Sequence, residues 1–165
     1  MIKFEKISYE QFKKDAGKIL GDHPEEFFKE MYESIKLPVR GTAGAAGYDF
    51  SSPITACLNE GHPAVLIPTG IRAEMPRDVV LMMYPRSGLG FKTGMRLANT
   101  VGVIDSDYYY SDNEGHIMIK LVRGFADLNI NAGDRIAQGI FSPYFITEND
   151  NTTETRNGGF GSTGK

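Results

Sequence analysis

The chain reads as an all-β protein, a jelly-roll-like sandwich or barrel, with a short helical N-terminal appendage and a flexible C-terminal arm. Three observations lead there. From Val39 onward glycine and proline recur every few residues, and the apolar segments between them shrink to strand length. Apolar residues at helical spacing are confined to the start of the chain. From Thr147 the sequence becomes polar and loses any period. The expected division is therefore residues 1–36, 37–146 and 147–165.

Ser8-Tyr9-Glu10-Gln11 has the form of a capping box, in which Ser8 and Gln11 satisfy each other's early amides. Phe12, Ala16, Ile19 and Leu20 follow at helical spacing, and Gly21 is a natural stop. A second helix is expected from Asp22, with Pro24 in its first turn, Glu25 and Glu26 at its positive end, and Pro38 ending it. Its stripe of Phe27, Phe28, Met31, Tyr32 and Ile35 reads as a docking face. The expected strands are Ile54–Leu58, Ala64–Ile67, Ile71–Glu74, Val79–Tyr84, Arg96–Ala98, Val101–Ile104, Ile117–Val122 and Ile136–Ser142.

Bulk composition narrows the function. At 165 residues, 41% hydrophobic and 24% charged, the chain suits one domain with its own core. A net charge of −3 argues against nucleic acid as a partner, since that needs a dense basic face. Cys57 is the single cysteine, and His23, His62 and His116 are far apart, so neither a disulfide nor a protein-built transition-metal site is expected. No apolar run has membrane-spanning length, and Met1–Lys6 does not follow a signal-peptide pattern; the cytoplasm is the expected location.

The segment that concentrates chemistry is Gly102-Val103-Ile104-Asp105-Ser106-Asp107-Tyr108, a short buried strand delivering two carboxylates and a ring. By itself it also fits a strand running into an Asp-Ser-Asp turn. Pro85-Arg86-Ser87-Gly88-Leu89-Gly90, after an apolar strand, suits an oxyanion, though alone it equally fits a surface turn with a solvated arginine. Asp134 and Arg135 fit a turn-capping acid and a surface base, and Tyr48 and Asp49 a core ring and a structural hydrogen bond. Gly159 to Lys165 spells the first seven positions of a P-loop, but lacks the strand before it and the hydroxyl and helix after it.

In chain order the segments are Ala46-Gly47-Tyr48-Asp49, Pro85–Gly90, Gly102–Tyr108, Gly133-Asp134-Arg135-Ile136-Ala137-Gln138, and Arg156-Asn157-Gly158-Gly159-Phe160-Gly161-Ser162-Thr163-Gly164. This series resembles the five motifs of the homotrimeric dUTP pyrophosphatase (dUTPase) family, from about Leu37 to the C-terminus. The resemblance implies a jelly-roll-like β-barrel and a homotrimer with active sites between subunits. It implies hydrolysis of dUTP to dUMP and pyrophosphate, which keeps uracil out of DNA and supplies dUMP for dTMP synthesis. Asp105 matches the carboxylate that orients and deprotonates the water attacking the α-phosphorus. Arg86, Ser87 and Gly88 match phosphate contacts, and Gln138 a polar contact near the α-phosphate. Tyr108 matches the ring under the deoxyribose, while Asn99, Gly102, Ile104 and Met118 fall where a hairpin reads uracil. In the arm, Phe160 matches the ring over uracil, with Arg156, Gly161, Ser162 and Thr163 on the phosphates. Mg2+ is implied as a cofactor held mainly by substrate phosphates and waters.

Two segments depart from the family pattern. Residues 109–113 are inserted before Glu114-Gly115-His116-Ile117, and the N-terminal helices are additional. Both resemble features of phage and Gram-positive bacterial versions of that family. Tyr109 and Tyr110 read as exposed, so a protein partner at the insert, making the chain a nucleotide-controlled regulator, is a second reading. A dCTP deaminase-type enzyme is the alternative within the fold.

Overall fold

The structure is a computed structural model that describes residues 1–154; Arg156, Phe160, Gly161, Ser162 and Thr163 lie outside the described residues. Antiparallel pairing organises eleven strands into three sheets. β1 (Lys3–Lys6), β5 (Ala64–Glu74), β9 (Ile117–Val122) and β7 (Arg96–Leu97) form a four-stranded sheet in the order β1-β5-β9-β7. β2 (Val39–Arg40), β3 (Tyr48–Ser51), β11 (Arg135–Pro143), β6 (Val79–Pro85) and β8 (Gly102–Ile104) form a five-stranded one, ordered β2-β3-β11-β6-β8. β4 (Ala56–Leu58) pairs with β10 (Leu128–Ile130). The all-β expectation holds, with helices α1 (Tyr9–Leu20), α2 (Glu25–Ser34) and α3 (Ser87–Thr93) as additions.

The core follows from period-two alternation. On β9, Ile117, Ile119 and Leu121 are buried, and on β6 Leu81 and Met83 are. Opposite faces of the two larger sheets meet with Phe50, Ile67 and Ile136 in one contiguous cluster. Fully burying each such side chain contributes about 1.5–3 kcal/mol. Among the described residues no helix is long and apolar enough to cross a membrane.

The structure changes several sequence expectations. Residues 1–36 are not wholly helical: Lys3–Lys6 pairs with β5 in register from Lys3 opposite Glu74 to Lys6 opposite Ile71. The segments Ala64–Ile67 and Ile71–Glu74 are one strand, joined through a bulge at Pro68–Ile71. Gly70 sits there at φ 71°, and a Cβ on it would meet the Ile35 side chain at 2.3 Å. Thr69 Oγ1 donates to Ile117 O (2.5 Å), and the Gly70 amide donates to His116 Nε2 (2.9 Å), so the bulge's polar groups are satisfied. Val103 is 56% exposed rather than buried, because β8 is an edge strand whose alternation turns Gly102 and Ile104 inward.

The appendage helices form nearly where expected. Ser8 caps α1, its Oγ accepting from the Gln11 amide at 3.2 Å, and Gly21 ends the helix with φ 83°. The reciprocal half of the capping box is absent, since Gln11 turns its side chain to Asp15 (2.8 Å). Glu114 supplies it instead, accepting from Ser8 N (2.8 Å) and Ser8 Oγ (2.6 Å). α2 starts at Glu25 with Pro24 at its N-cap, three residues later than expected.

Candidate active site

The expected site residues fall into distinct places. Asn99, Gly102, Ile104 and Met118 line one cavity of about 120 Å³, together with Met83, Leu97 and Ile117. Gly102 is needed there, because a Cβ would come within 3.0 Å of Met83 Cβ and 3.3 Å of Asn99 Nδ2. The result is a narrow, mostly apolar slot with backbone groups of β8 on one wall.

Asp105 follows directly. It ends β8 and stands at the N-cap of a 3₁₀ helix, Ser106–Tyr110, whose first turn closes with Tyr108 N donating to Asp105 O (3.1 Å). Asp105 is exposed and lines an open groove of about 1150 Å³ with Ser106, Asp107 and Tyr110. Tyr108 lines neither cavity: it is buried, its hydroxyl donating to His116 O (2.8 Å) and accepting from Asn113 Nδ2 (2.8 Å). Tyr109, expected exposed, is half-buried. Its hydroxyl donates to Glu5 (2.5 Å), and its ring lies 4.3 Å from the Arg72 guanidinium carbon. The Glu5 contact, more than burial, holds the Tyr109 phenol above its ordinary pKa. Tyr110 is 78% exposed.

A second cluster lies around Arg86. Asp49, on β3, accepts from Arg86 Nε (3.1 Å) through one oxygen and from Arg135 Nη1 (2.9 Å) through the other. Arg86 is the N-cap of α3, so Ser87 and Gly88 form the first turn, where helix amides have no intrahelical acceptor. Gln138 donates to Pro85 O (3.2 Å), and Gly47 leaves room for it: a Cβ there would lie 2.5 Å from Gln138 Oε1. Asp134 caps its turn by accepting from Asn131 N (2.8 Å). Arg135 was missed as a site residue; its only sequence signal was adjacency to that turn.

The two regions are far apart along one strand. β8 pairs with β6 so that Ile104 faces Leu81 and Gly102 faces Met83. Asp105, one residue past Ile104, falls opposite Val80, and Arg86 lies six residues beyond Val80, which at ~3.3 Å per residue is roughly 20 Å.

A narrow apolar slot in one place and two guanidinium groups held by Asp49 in another suit an enzyme that handles nucleoside phosphates. The chain belongs to the dUTPase family, whose model matches residues 33–164. It is 44% identical over 135 residues to the deoxyuridine 5'-triphosphate nucleotidohydrolase of Lactococcus lactis, covering 79% of this chain and 89% of the relative. The enzyme of that name from Desulfitobacterium hafniense is also 44% identical, over 137 residues, covering 78% of this chain and 87% of the relative. Among solved structures, the dUTPase from Streptococcus mutans aligns with a TM-score of 0.64 and 34% identity, covering 88% of this chain and 98% of that one. The dUTPase of phage phi11 of S. aureus shares the fold at a TM-score of 0.62 and 20% identity, covering 95% and 99%. Membership makes this chain a dUTP diphosphatase, a hydrolase of an acid anhydride.

Proposed function

We propose that the chain hydrolyses dUTP by in-line attack of a water, oriented by Asp105, on the α-phosphorus, in sites shared between the subunits of a homotrimer. The single observation that carries a shared site is the roughly 20 Å along β6 between the Asp105 and Arg86 positions, longer than the span from a nucleotide's sugar to its α-phosphate. One chain then supplies the uracil slot and Asp105. A neighbour supplies Arg86, Ser87, Gly88 and Gln138 to the phosphates, with Asp49 holding Arg86 and Arg135 in place. Tyr108 serves beneath the deoxyribose from a position fixed by its hydroxyl. Arg156, Phe160, Gly161, Ser162 and Thr163 close the site from the arm. Carboxylates are weak bases at neutral pH, so placement of water and stabilisation of developing charge carry most of the rate. The division into residues 1–36, 37–146 and 147–165 belongs to the same reading, supported by a family match that begins at residue 33, with β1 counted to the barrel.

Magnesium fits as an ion brought by the substrate. Among the described residues no group of three or more His, Cys, Asp or Glu side chains converges. Phosphate oxygens and waters would supply most ligands, as is common for this ion, and the ion would neutralise charge on the triphosphate. The phage phi11 enzyme is described with a structural Mg(II) ion.

Pyrophosphate release from dUTP with magnesium, beside dCTP, dTTP and UTP, together with sedimentation, tests this. Selective dUTP turnover by a trimer is expected; a fully active monomer would refute the shared site, and ammonia release from dCTP would establish a deaminase. A second reading rests on the 78% exposure of Tyr110 in the insert. The dUTPase of Staphylococcus bacteriophage 80alpha is described as controlling transfer of virulence genes by a G protein-like mechanism. A protein partner at residues 109–113, responsive to bound dUTP, is the corresponding role here. Partner binding unaffected by Tyr110→Ala would remove it.

A further inference from the structure

The added N-terminal segment is bonded along its length to the inserted loop and to the turn that follows it. Tyr109 donates to Glu5 (2.5 Å), Glu114 accepts from Ser8 N and Oγ (2.8 and 2.6 Å), and His116 Nδ1 meets Asp15 Oδ2 (2.8 Å). The contacts run in step, 5 with 109, 8 with 114 and 15 with 116. They tie the added segment to the insert at Tyr109 and to the residues just after it at Glu114 and His116.

The innermost contact is buried, His116 at 0% and Asp15 at 5% exposure. Because the Gly70 amide donates to Nε2 (2.9 Å), the ring proton sits on Nδ1 and is donated to Asp15. Asp15 Oδ2 also accepts from Gln11 Nε2 (2.8 Å). Burial pushes the Asp15 carboxyl up, but the His116 and Gln11 hydrogen bonds outweigh it and hold the group below its ordinary value. The carboxylate is thus a fixed anion that sets the plane of the imidazole.

From His116 the bonds lead to the site. Its carbonyl accepts the Tyr108 hydroxyl (2.8 Å), and the Tyr108 amide donates to the Asp105 carbonyl (3.1 Å). Asp105 therefore stands at the mouth of a 3₁₀ helix, a form with weak hydrogen-bond geometry, whose far side is tied down. We propose that Asp15 is a positioning residue for the Asp105 carboxylate, acting through His116 and Tyr108. The proposal rests on the assignment of Asp105 as the residue that orients water.

The test is dUTP hydrolysis by full-length Asp15→Ala, Asp15→Asn, Tyr108→Phe and the double variant Asp15→Ala/Tyr108→Phe, with Asp105→Asn and Phe28→Ala beside them. Asp15→Ala is expected to lower kcat about tenfold, because misplacement of a reacting group acts on kcat. KM should change less than kcat, since the uracil slot keeps its lining and only the Tyr108 ring beneath the deoxyribose is loosened. Asp15→Asn keeps an acceptor for His116 and should retain most of kcat. If Asp15 acts through the Tyr108 hydroxyl, the double variant is no slower than the slower single. Phe28, buried in α2 outside this path, should lower Tm without lowering kcat when changed to alanine. Wild-type kcat in Asp15→Ala, multiplicative losses in the double variant, or a kcat loss in Phe28→Ala matching its Tm loss would each overturn the proposal. Should Asp15→Ala not fold, wild-type kcat in Tyr108→Phe would overturn it. An active Asp105→Asn overturns the assignment beneath it, a result separable from all of these.

Discussion

The two ends of β6 are held in place by opposite physics. At the Arg86 end the anchor is ionic and near solvent: Asp49 is 14% exposed, Arg86 30% and Arg135 52%. Pairs this open are worth at most about 1 kcal/mol each and are weakened by salt. At the Asp105 end the anchors are buried hydrogen bonds among Tyr108, Asn113, His116 and Asp15. The first arrangement orients two guanidinium groups while leaving them partly in solvent. The second fixes the backbone that carries Asp105. The comparison teaches that one end is held by ion pairs open to water and salt and the other by a hydrogen-bond network closed to both.

The sharpest way to break that contrast is Asp105→Asn. If this end does chemistry, kcat for dUTP falls by roughly 10²–10⁴ with KM little changed. A loss confined to KM in steady-state assays would move Asp105 to the binding groups. Next is Asp49→Ala, which releases Arg86 and Arg135 together. Here kcat/KM should fall roughly tenfold to a hundredfold, mostly through KM, and the wild-type advantage should shrink with added salt. A salt-independent kcat effect would mean that Asp49 acts at the reacting atoms. Gly47→Ala is milder: its methyl displaces the Gln138 amide, and kcat/KM should fall about fivefold with little change in Tm. Unchanged kinetics would remove Gln138 from the phosphate contacts.

The smallest effect is on acid stability. For Asp15 and Glu114, burial raises the carboxyl, but hydrogen bonds, from His116 and Gln11 in one case and from Ser8 in the other, bring the net shift below the ordinary value. A carboxyl lowered in the folded state adds stability above its unfolded pKa and loses it as pH falls through the folded one. Tm should therefore drop between about pH 5 and pH 3, more steeply in wild type than in Asp15→Asn. Equal slopes would mean that the buried anion contributes nothing to holding the appendage.

The architecture was legible where apolar alternation was strong. Ile117–Val122 forms over the residues expected, and Val79–Pro85 and Arg135–Pro143 run one residue longer at one or both ends. Tyr48–Ser51 and Leu128–Ile130 escaped notice because each is short and places Asp49 or Asn129 at mid-strand. α3 was hidden by two glycines in Ser87-Gly88-Leu89-Gly90-Phe91-Lys92-Thr93, poor helix formers that tertiary contacts override. Of the site, Asn99, Gly102, Ile104 and Met118 line one cavity, but motif order says nothing of register, so the distance between Asp105 and Arg86 could not be read. The Asp15–His116 pair was invisible for a similar reason: one residue sat in a helix pattern, the other after an insert, 101 positions apart.

That separation has a consequence for how the chain comes into being. During synthesis β1 and α1 emerge before the strands they pack on: β1 has no partner strand until Ile71–Glu74 is made, and Asp15 no imidazole until His116. Contacts this distant in sequence form late and slow folding. The N-terminal segment therefore completes its packing only once β8 and the insert have been made. Until then the Asp15 carboxylate lacks its imidazole, and the loop bearing Asp105 gains its final shape only when α1 meets His116.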